Sequence, residues 1–162
     1  MATSSRKTAL TALSEVTENE GYSNIVIDKA IRAAELSPRD AALASTIFYG
    51  VLEKRLTLDF YIRKFLAKPQ QKLDGTVLNI LRIAVYQMMY LDRVPDSAAV
   101  NEAVLCAAEY RRGQYKNFVN GVLRSFARGW HEVIIPEDDL SMRYNIPQPI
   151  IESFKKDYSE RS

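Results

Sequence analysis

The residues with the clearest chemical potential lie in the stretch NFVNGVLRSFAR, at positions 117–128. A helix through this stretch, at about 100° per residue, places two amides and two guanidinium groups on one side. This amide–arginine stripe comprises Asn117, Asn120, Arg124 and Arg128. Guanidinium groups bind phosphates and amides bond base edges, so the stripe carries the side chains that RNA binding needs. Lys116 adds a cation at the helix start, and Gly121 would let a backbone or a ribose approach closely.

Two further groups of residues extend this interpretation. Arg6 and Lys7 open the first helix, where cations oppose the helix dipole and therefore need another reason to be present. A second stripe lies on the most apolar helix and comprises Asn79, Arg82, Tyr86 and Tyr90. Its tyrosines would provide stacking faces for bases. Together, the three features predict one electropositive surface for RNA.

A purely structural interpretation of the same residues stays open. Arg82, on an apolar helix, would equally suit snorkelling to the surface or a pair with a carboxylate, and Arg124 and Arg128 would equally serve only to solvate the outer face. Gly121 would serve contact between helices. Phe118 and Phe126 are more typical of a core than of stacking platforms.

Composition argues against several kinds of catalytic site. The chain has one histidine and one cysteine, too few for a His/Cys metal site. Cys106 has no histidine-based activation pattern, so we interpret it as a small buried residue. None of the glycines forms a GxG pair, which argues against a nucleotide or S-adenosylmethionine site. We expect no catalytic, cofactor or metal site within this chain.

The charge distribution favours an anionic partner. The net charge is +2, but residues 1–130 carry +5 and residues 131–162 carry −3. The longest nearly apolar stretch, residues 83–91, is too short to span a bilayer, and no targeting segment is recognisable. With a lone cysteine, these features predict a cytoplasmic protein without a membrane partner.

The elements that position these residues are predicted to be helices. Their periodicity gives about seven, over residues 6–20, 23–34, 38–54, 57–68, 74–93, 97–113 and 115–128. The expected caps are Gly21, Ser23 or Asn24, Ser37, Asp74 and Asp96, with a terminal signal at Arg111, Arg112 and Gly113. Gly50 would allow a close contact. We predict an all-α bundle over residues 1–130, followed by a short connector at 131–162.

Three ordered motifs resemble the NusB family of all-helical RNA-binding domains. They read LNILRIAVYQMMYLDRVP, AAVNEAV and FVNGVLR, and RKTALTALSEV resembles the first helix of that family. The resemblance covers residues 6–130. It implies RNA contacts at Arg6 and Lys7 and at Asn117 and Phe118, and Arg82 lies in the matching LRIA motif.

Other segments resemble one setting of this family, the N-terminal domain of the Sun/Fmu (RsmB-like) ribosomal RNA cytosine-C5 methyltransferases. These segments are GYSN, RDAALASTIFYGVLEKRLTLDFYI and RYNIPQPIIESFKKDY. The resemblance implies that residues 131–162 begin the join to a methyltransferase domain absent from this chain, which would hold S-adenosylmethionine. The implied partners are small-subunit 16S ribosomal RNA and that C-terminal domain, and the chain alone would be non-catalytic.

Two other functions stay open. A stand-alone NusB-type transcription antitermination factor would bind leader RNA and a ribosomal protein, but the basic run at the N-terminus is short for that role. A protein-docking helical module would use the same bundle to bind a partner domain. Salt dependence separates RNA binding from docking, because phosphate contacts weaken steeply as salt rises.

Overall fold

The computed structural model describes residues 4–19 and 22–135, and the regular secondary structure of this region is entirely helical. Its α-helices are α1 (Ser4–Asn19), α2 (Ser23–Ala34), α3 (Pro38–Arg63), α4 (Gly75–Tyr90), α5 (Asp96–Ala108) and α6 (Lys116–Gly129). Short 3₁₀ turns cover Arg111–Gly113 and Trp130–Glu132. The expected all-α bundle is confirmed, with six α-helices in this region. Gly21 and most of the predicted connector lie outside the described residues.

Two predicted helix starts are fixed by side-chain caps. The Ser37 hydroxyl oxygen accepts a hydrogen bond from the Asp40 backbone N–H at 3.2 Å. Asp74 Oδ1 accepts from the N–H groups of Thr76 and Val77 at 2.9 and 3.1 Å. These bonds satisfy backbone donors that have no partner within the helix, so α3 and α4 begin where the sequence predicts.

Two other helix starts have no side-chain cap, and the caps predicted for them were wrong. Tyr22 occupies the cap position of α2, and Pro95 occupies that of α5. The expected caps Ser23 and Asp96 are instead the first residues of their helices. Asp96 still stabilises the start of α5, because its carboxylate lies at the positive end of the helix dipole.

One continuous helix replaces the two that were predicted over residues 38–68. The expected break before Thr57 does not occur, and α3 runs through to Arg63. Thr57 is buried, and the core residues Leu58 and Ile62 follow it on the same helix. No glycine or proline lies between residues 51 and 63, so the backbone hydrogen bonds of the helix continue past Thr57 and the apolar side chains beyond it stay buried.

The end of α5 also differs from the prediction. The helix stops at Ala108, before the expected terminus at Arg111, Arg112 and Gly113. These three residues have φ values of 45°, 58° and 74°, which are left-handed conformations. A left-handed backbone cannot continue a right-handed helix, so they form a separate turn between α5 and α6.

The central element of the bundle is α4. It contacts α1, α3, α5 and α6, and all residues from 79 to 89 are buried. This burial around the whole helix explains why its sequence is apolar on almost every side. Within the described residues, no helix is both long and apolar enough to cross a membrane.

The helices α3 and α4 approach closely at Gly50. A Cβ atom at this position would overlap the ring of Tyr86. That ring stacks on Tyr90, with centroids 5.3 Å apart and an interplanar angle of 25°. The close contact predicted at Gly50 is therefore confirmed.

The polar residues of α4 form a network inside the bundle. Arg82 donates from Nε and Nη2 to the two carboxylate oxygens of Asp59, both at 2.7 Å. Its Nη1 donates to Asn79 Oδ1 at 3.0 Å. Asn79, Arg82 and Tyr86 are all buried, at 2%, 9% and 9% exposure. The expectation that this second stripe forms part of an exposed surface was wrong, because α3 covers it and Asp59 neutralises its charge.

We expect Gly50→Ala to lower the free energy of unfolding by about 1–3 kcal/mol, because the new methyl group overpacks the α3–α4 contact. The matched control is Gly121→Ala, since a Cβ there meets nothing within 4 Å. That substitution should stabilise the protein by up to about 1 kcal/mol through helix propensity. Urea unfolding of both variants measures the difference, and equal effects would contradict the close contact.

We expect Arg82→Met to destabilise the protein by about 3 kcal/mol, because it leaves the partly buried Asp59 carboxylate without its partner. The double variant Asp59→Leu/Arg82→Met should lose less than the two single variants combined. A double-mutant cycle by urea unfolding measures this coupling. Strictly additive losses would show that the pair does not act as a unit.

Candidate nucleic-acid interface

The helix α6 separates its polar and apolar side chains cleanly. The residues that face the core are Val119, Val122, Leu123 and Phe126, all buried. Three members of the amide–arginine stripe, Asn117, Arg124 and Arg128, are exposed, and Asn120 is half-buried. The structure therefore brings all four stripe residues together on the outer side of one helix.

The charges of the amide–arginine stripe are not neutralised within the described part of the chain. Arg124 donates from Nε to Asn120 Oδ1 at 2.9 Å. Arg128 donates from Nη2 to Ser125 Oγ at 3.5 Å, a long and weak bond. Among residues 4–19 and 22–135, neither arginine pairs with a carboxylate. Both guanidinium groups thus keep their charge available to a ligand.

Two adjoining clefts lie between α5 and α6, beside the stripe. The larger has a volume of about 410 Å³, and the smaller has a volume of about 220 Å³. Asn101 of α5 and Arg124 of α6 line both clefts. The larger cleft also holds Lys116, Asn117 and Asn120, so amides and cations meet in one concave site.

The residues that α5 contributes were missed by the sequence prediction. Asn101 and Ser97 are one helical turn apart and face α6 across the smaller cleft. Their spacing is the signal that would have found them. The carboxylate lining this cleft belongs to Asp96, against the two cations of Arg124 and Arg128. The paired clefts are therefore electropositive.

Gly121 lies on the open side of α6. It is exposed, and a Cβ atom added there would meet nothing within 4 Å. The alternative that it serves contact between helices is therefore excluded within the described structure. Since helix propensity disfavours glycine here, the missing side chain leaves room for something outside the bundle.

The two phenylalanines of α6 are mainly core residues. Phe126 is fully buried and stacks on Trp130 with centroids 6.0 Å apart. Phe118 is partly buried and packs against the core. Phe118 follows Asn117 directly and is only half-buried, so this residue borders the stripe.

The basic pair of α1 lies against other helices. Arg6 donates from Nε to Oε1 of the buried Gln87 at 3.0 Å, which ties α1 to α4. Lys7 pairs with Glu109 at 3.3 Å, next to the end of α5, and its side chain is 57% exposed. Arg82 does not fit the predicted role in RNA binding, because Asp59 and Asn79 bind its guanidinium inside the bundle. The structure therefore does not gather Arg82 into the surface formed by α5 and α6.

The single cysteine is a buried residue of α5. Cys106 is buried, and this burial, with the nearby charges of Glu109 and Glu102, raises the pKa of its thiol to about 11. The thiol is therefore protonated at neutral pH, and the predicted structural role is confirmed. Within the described residues, no group of three or more His, Cys, Asp or Glu side chains is placed to hold a metal ion.

Several known proteins are similar to this chain in sequence. A probable ribosomal RNA small subunit methyltransferase B of Bacillus subtilis (strain 168) is 40% identical over 126 residues, 78% of this chain and 28% of the relative. The probable ribosomal RNA small subunit methyltransferase B of Synechocystis sp. is 32% identical over 162 residues, 97% of this chain and 36% of the relative. The chain thus spans about a third of the length of these curated relatives.

A solved structure shares the fold. NusB of T. maritima superposes with a TM-score of 0.67 at 20% identity, covering 87% of this chain and 99% of that one. The sequence profile of the NusB family matches residues 3–128, most of the region that forms the bundle. The chain belongs to the NusB family.

Proposed function

We propose that this chain binds small-subunit ribosomal RNA through the amide–arginine stripe and the clefts beside it. Its role is to hold that RNA for a cytosine-C5 methyltransferase domain that uses S-adenosylmethionine. Support for the substrate comes from the relatives, which are named as ribosomal RNA small subunit methyltransferases B. Their greater length leaves room for a catalytic domain outside the matched region.

The observation that carries the proposal is a pair of arginines on α6 that have no carboxylate partner among the residues that the structure describes. Arg124 and Arg128 are exposed and border the clefts between α5 and α6. An arginine whose only role is to keep a helix surface hydrated does not require a cleft beside it, so the clefts favour a binding role. Positive charge that no carboxylate of the described residues neutralises, next to a concave polar surface, fits an anionic ligand that is larger than a single ion.

The positions of the side chains suggest which of them would contact phosphates and which would contact bases. The bond from Arg124 Nε to Asn120 fixes the side chain, and its terminal amino groups, which make no bond to the described residues, can bind phosphate oxygens. The amides of Asn101 and Asn117 line the larger cleft, where they can donate to and accept from base edges. Bases reach such a cleft only when they are unpaired, so the proposed ligand is a single-stranded or looped segment of ribosomal RNA.

The chain itself performs no chemical step in this proposal. The chain binds the RNA and orients it. A linked catalytic domain then reacts faster at one nucleotide, because that nucleotide is already held in position. S-adenosylmethionine would bind that other domain. The buried, protonated Cys106 takes no part.

We expect Arg124→Glu/Arg128→Glu to weaken binding of ribosomal RNA about tenfold or more, because two phosphate contacts become repulsive. The slope of log affinity against log salt should shrink by about 2. Filter binding with small-subunit ribosomal RNA transcribed in vitro, between about 50 and 200 mM salt, measures both quantities.

The matched control for this variant is Lys29→Glu/Arg32→Glu. Both residues are exposed on α2, which contacts α1 and α3, and the control changes the net charge equally. We expect it to alter RNA affinity far less. Equal weakening by the two double variants would mean that only the overall charge matters, and the proposal for the stripe would be wrong.

We expect Gly121→Ala to weaken RNA binding while it raises the free energy of unfolding. The methyl group improves helix propensity but occupies the open space through which the RNA backbone approaches. Filter binding and urea unfolding of the same preparation measure the two effects. If the affinity is unchanged while stability rises, RNA does not approach α6 at this position.

A further inference from the structure

The connection between α5 and α6 is a strained turn that carries two arginines. This basic turn consists of Arg111–Gly113, and all three residues have left-handed backbone conformations. Glycine adopts such a conformation freely, but arginine does so only at a conformational cost. Strain of this kind persists where the surrounding structure enforces it, and it is concentrated at functional sites.

A small network enforces the conformation of the basic turn. The Tyr110 hydroxyl donates to Asp74 Oδ2 at 2.8 Å, and Arg111 Nε donates to the Tyr110 hydroxyl oxygen at 2.9 Å. The rings of Tyr110 and Tyr115, which flank the turn, stack with centroids 6.1 Å apart. The two ends of the turn are therefore held together, and Arg111 serves as part of the support.

The anchor of this network is charged over a wide pH range. Burial opposes ionisation of Asp74, but bonds from Tyr110 and from two backbone N–H groups, with the charge of Arg111, lower its pKa overall. The support is therefore present above the ordinary pKa of an aspartate and is lost only as the pH falls through the lowered value. At neutral pH the basic turn is preorganised.

The second arginine of the turn has no such structural task. Arg112 is exposed and makes no ion pair or side-chain hydrogen bond with the residues that the structure describes. The chain leads from it within four residues to Lys116, which lines the larger cleft. A supported turn thus holds a cation, unpaired within the described residues, at the end of the RNA-binding surface proposed above.

We propose that the basic turn is a second phosphate-binding element, in which Arg112 contacts the backbone of RNA that lies on the amide–arginine stripe. This inference rests on the proposed RNA binding and extends the site beyond the start of α6. The network of Asp74, Tyr110 and Arg111 positions Arg112 before the RNA arrives, which reduces the ordering cost of binding.

The test is Arg112→Gln, which removes the charge and keeps a side chain that is equally disfavoured in the left-handed conformation. We expect affinity for small-subunit ribosomal RNA to fall about threefold to tenfold, with a salt slope smaller by about 1. The matched control, Arg32→Gln, removes an exposed charge from α2. If both variants lose affinity equally, Arg112 makes no contact and this inference is wrong.

A second variant, Arg112→Gly, separates RNA contact from formation of the turn. Glycine suits the left-handed conformation, so we expect a thermal midpoint no lower than that of the unaltered protein, with the same loss of RNA affinity as Arg112→Gln. Unchanged affinity in Arg112→Gly would mean that only the turn matters and would overturn the inference. If the unaltered chain itself fails to bind ribosomal RNA, the proposed function fails as well. If reversal of Arg124 and Arg128 weakens binding while Arg112→Gln does not, this inference alone is wrong.

Discussion

The structure depends on the burial of α4 on every side. A helix whose residues from 79 to 89 are all buried needs neighbours around its whole circumference, and α1, α3, α5 and α6 provide them. The closest of these contacts requires Gly50, since any larger residue would meet the Tyr86 ring. Burial of Arg82 in turn requires the carboxylate of Asp59 from α3. The central helix therefore determines how closely α3 packs against it and requires a carboxylate on α3 opposite Arg82.

Because α5 and α6 pack against α4 with their inner faces, their outer faces are available to bind a ligand. Each of these helices covers α4 with one face, and neither is covered by another helix on the far side within the described bundle. Asp74 connects the centre to this periphery, because it caps α4 and also accepts a hydrogen bond from Tyr110 at the end of α5. The core thus sets the position of the turn and of the first residues of α6, from which the proposed RNA contacts extend.

Local signals in the sequence were sufficient for the all-helical fold, for two helix caps and for the amide–arginine stripe, but not for the continuity of α3 or the end of α5. The stripe follows from the periodicity of a single helix, and Ser37 and Asp74 are caps whose partners lie within three residues. Arg82 was different, because its position depends on Asp59, which is distant in sequence and adjacent only in the fold. Asn101 was missed for the same reason, since the cleft that it lines exists only when α5 packs beside α6. The sequence predicts a helix end at Arg111, Arg112 and Gly113, because residue types alone do not reveal that the backbone of both arginines is left-handed.

The most direct test is ultraviolet cross-linking of the chain to small-subunit ribosomal RNA transcribed in vitro, followed by nuclease and trypsin digestion and mass spectrometry. Trypsin cleaves after Lys116 and after Arg124, so much of the stripe lies in the peptide of residues 117–124. RNA binding at α6 predicts that this peptide carries the cross-linked nucleotide. Cross-links confined to peptides from α2 or from the exposed side of α3 would place the RNA elsewhere and contradict the proposed interface.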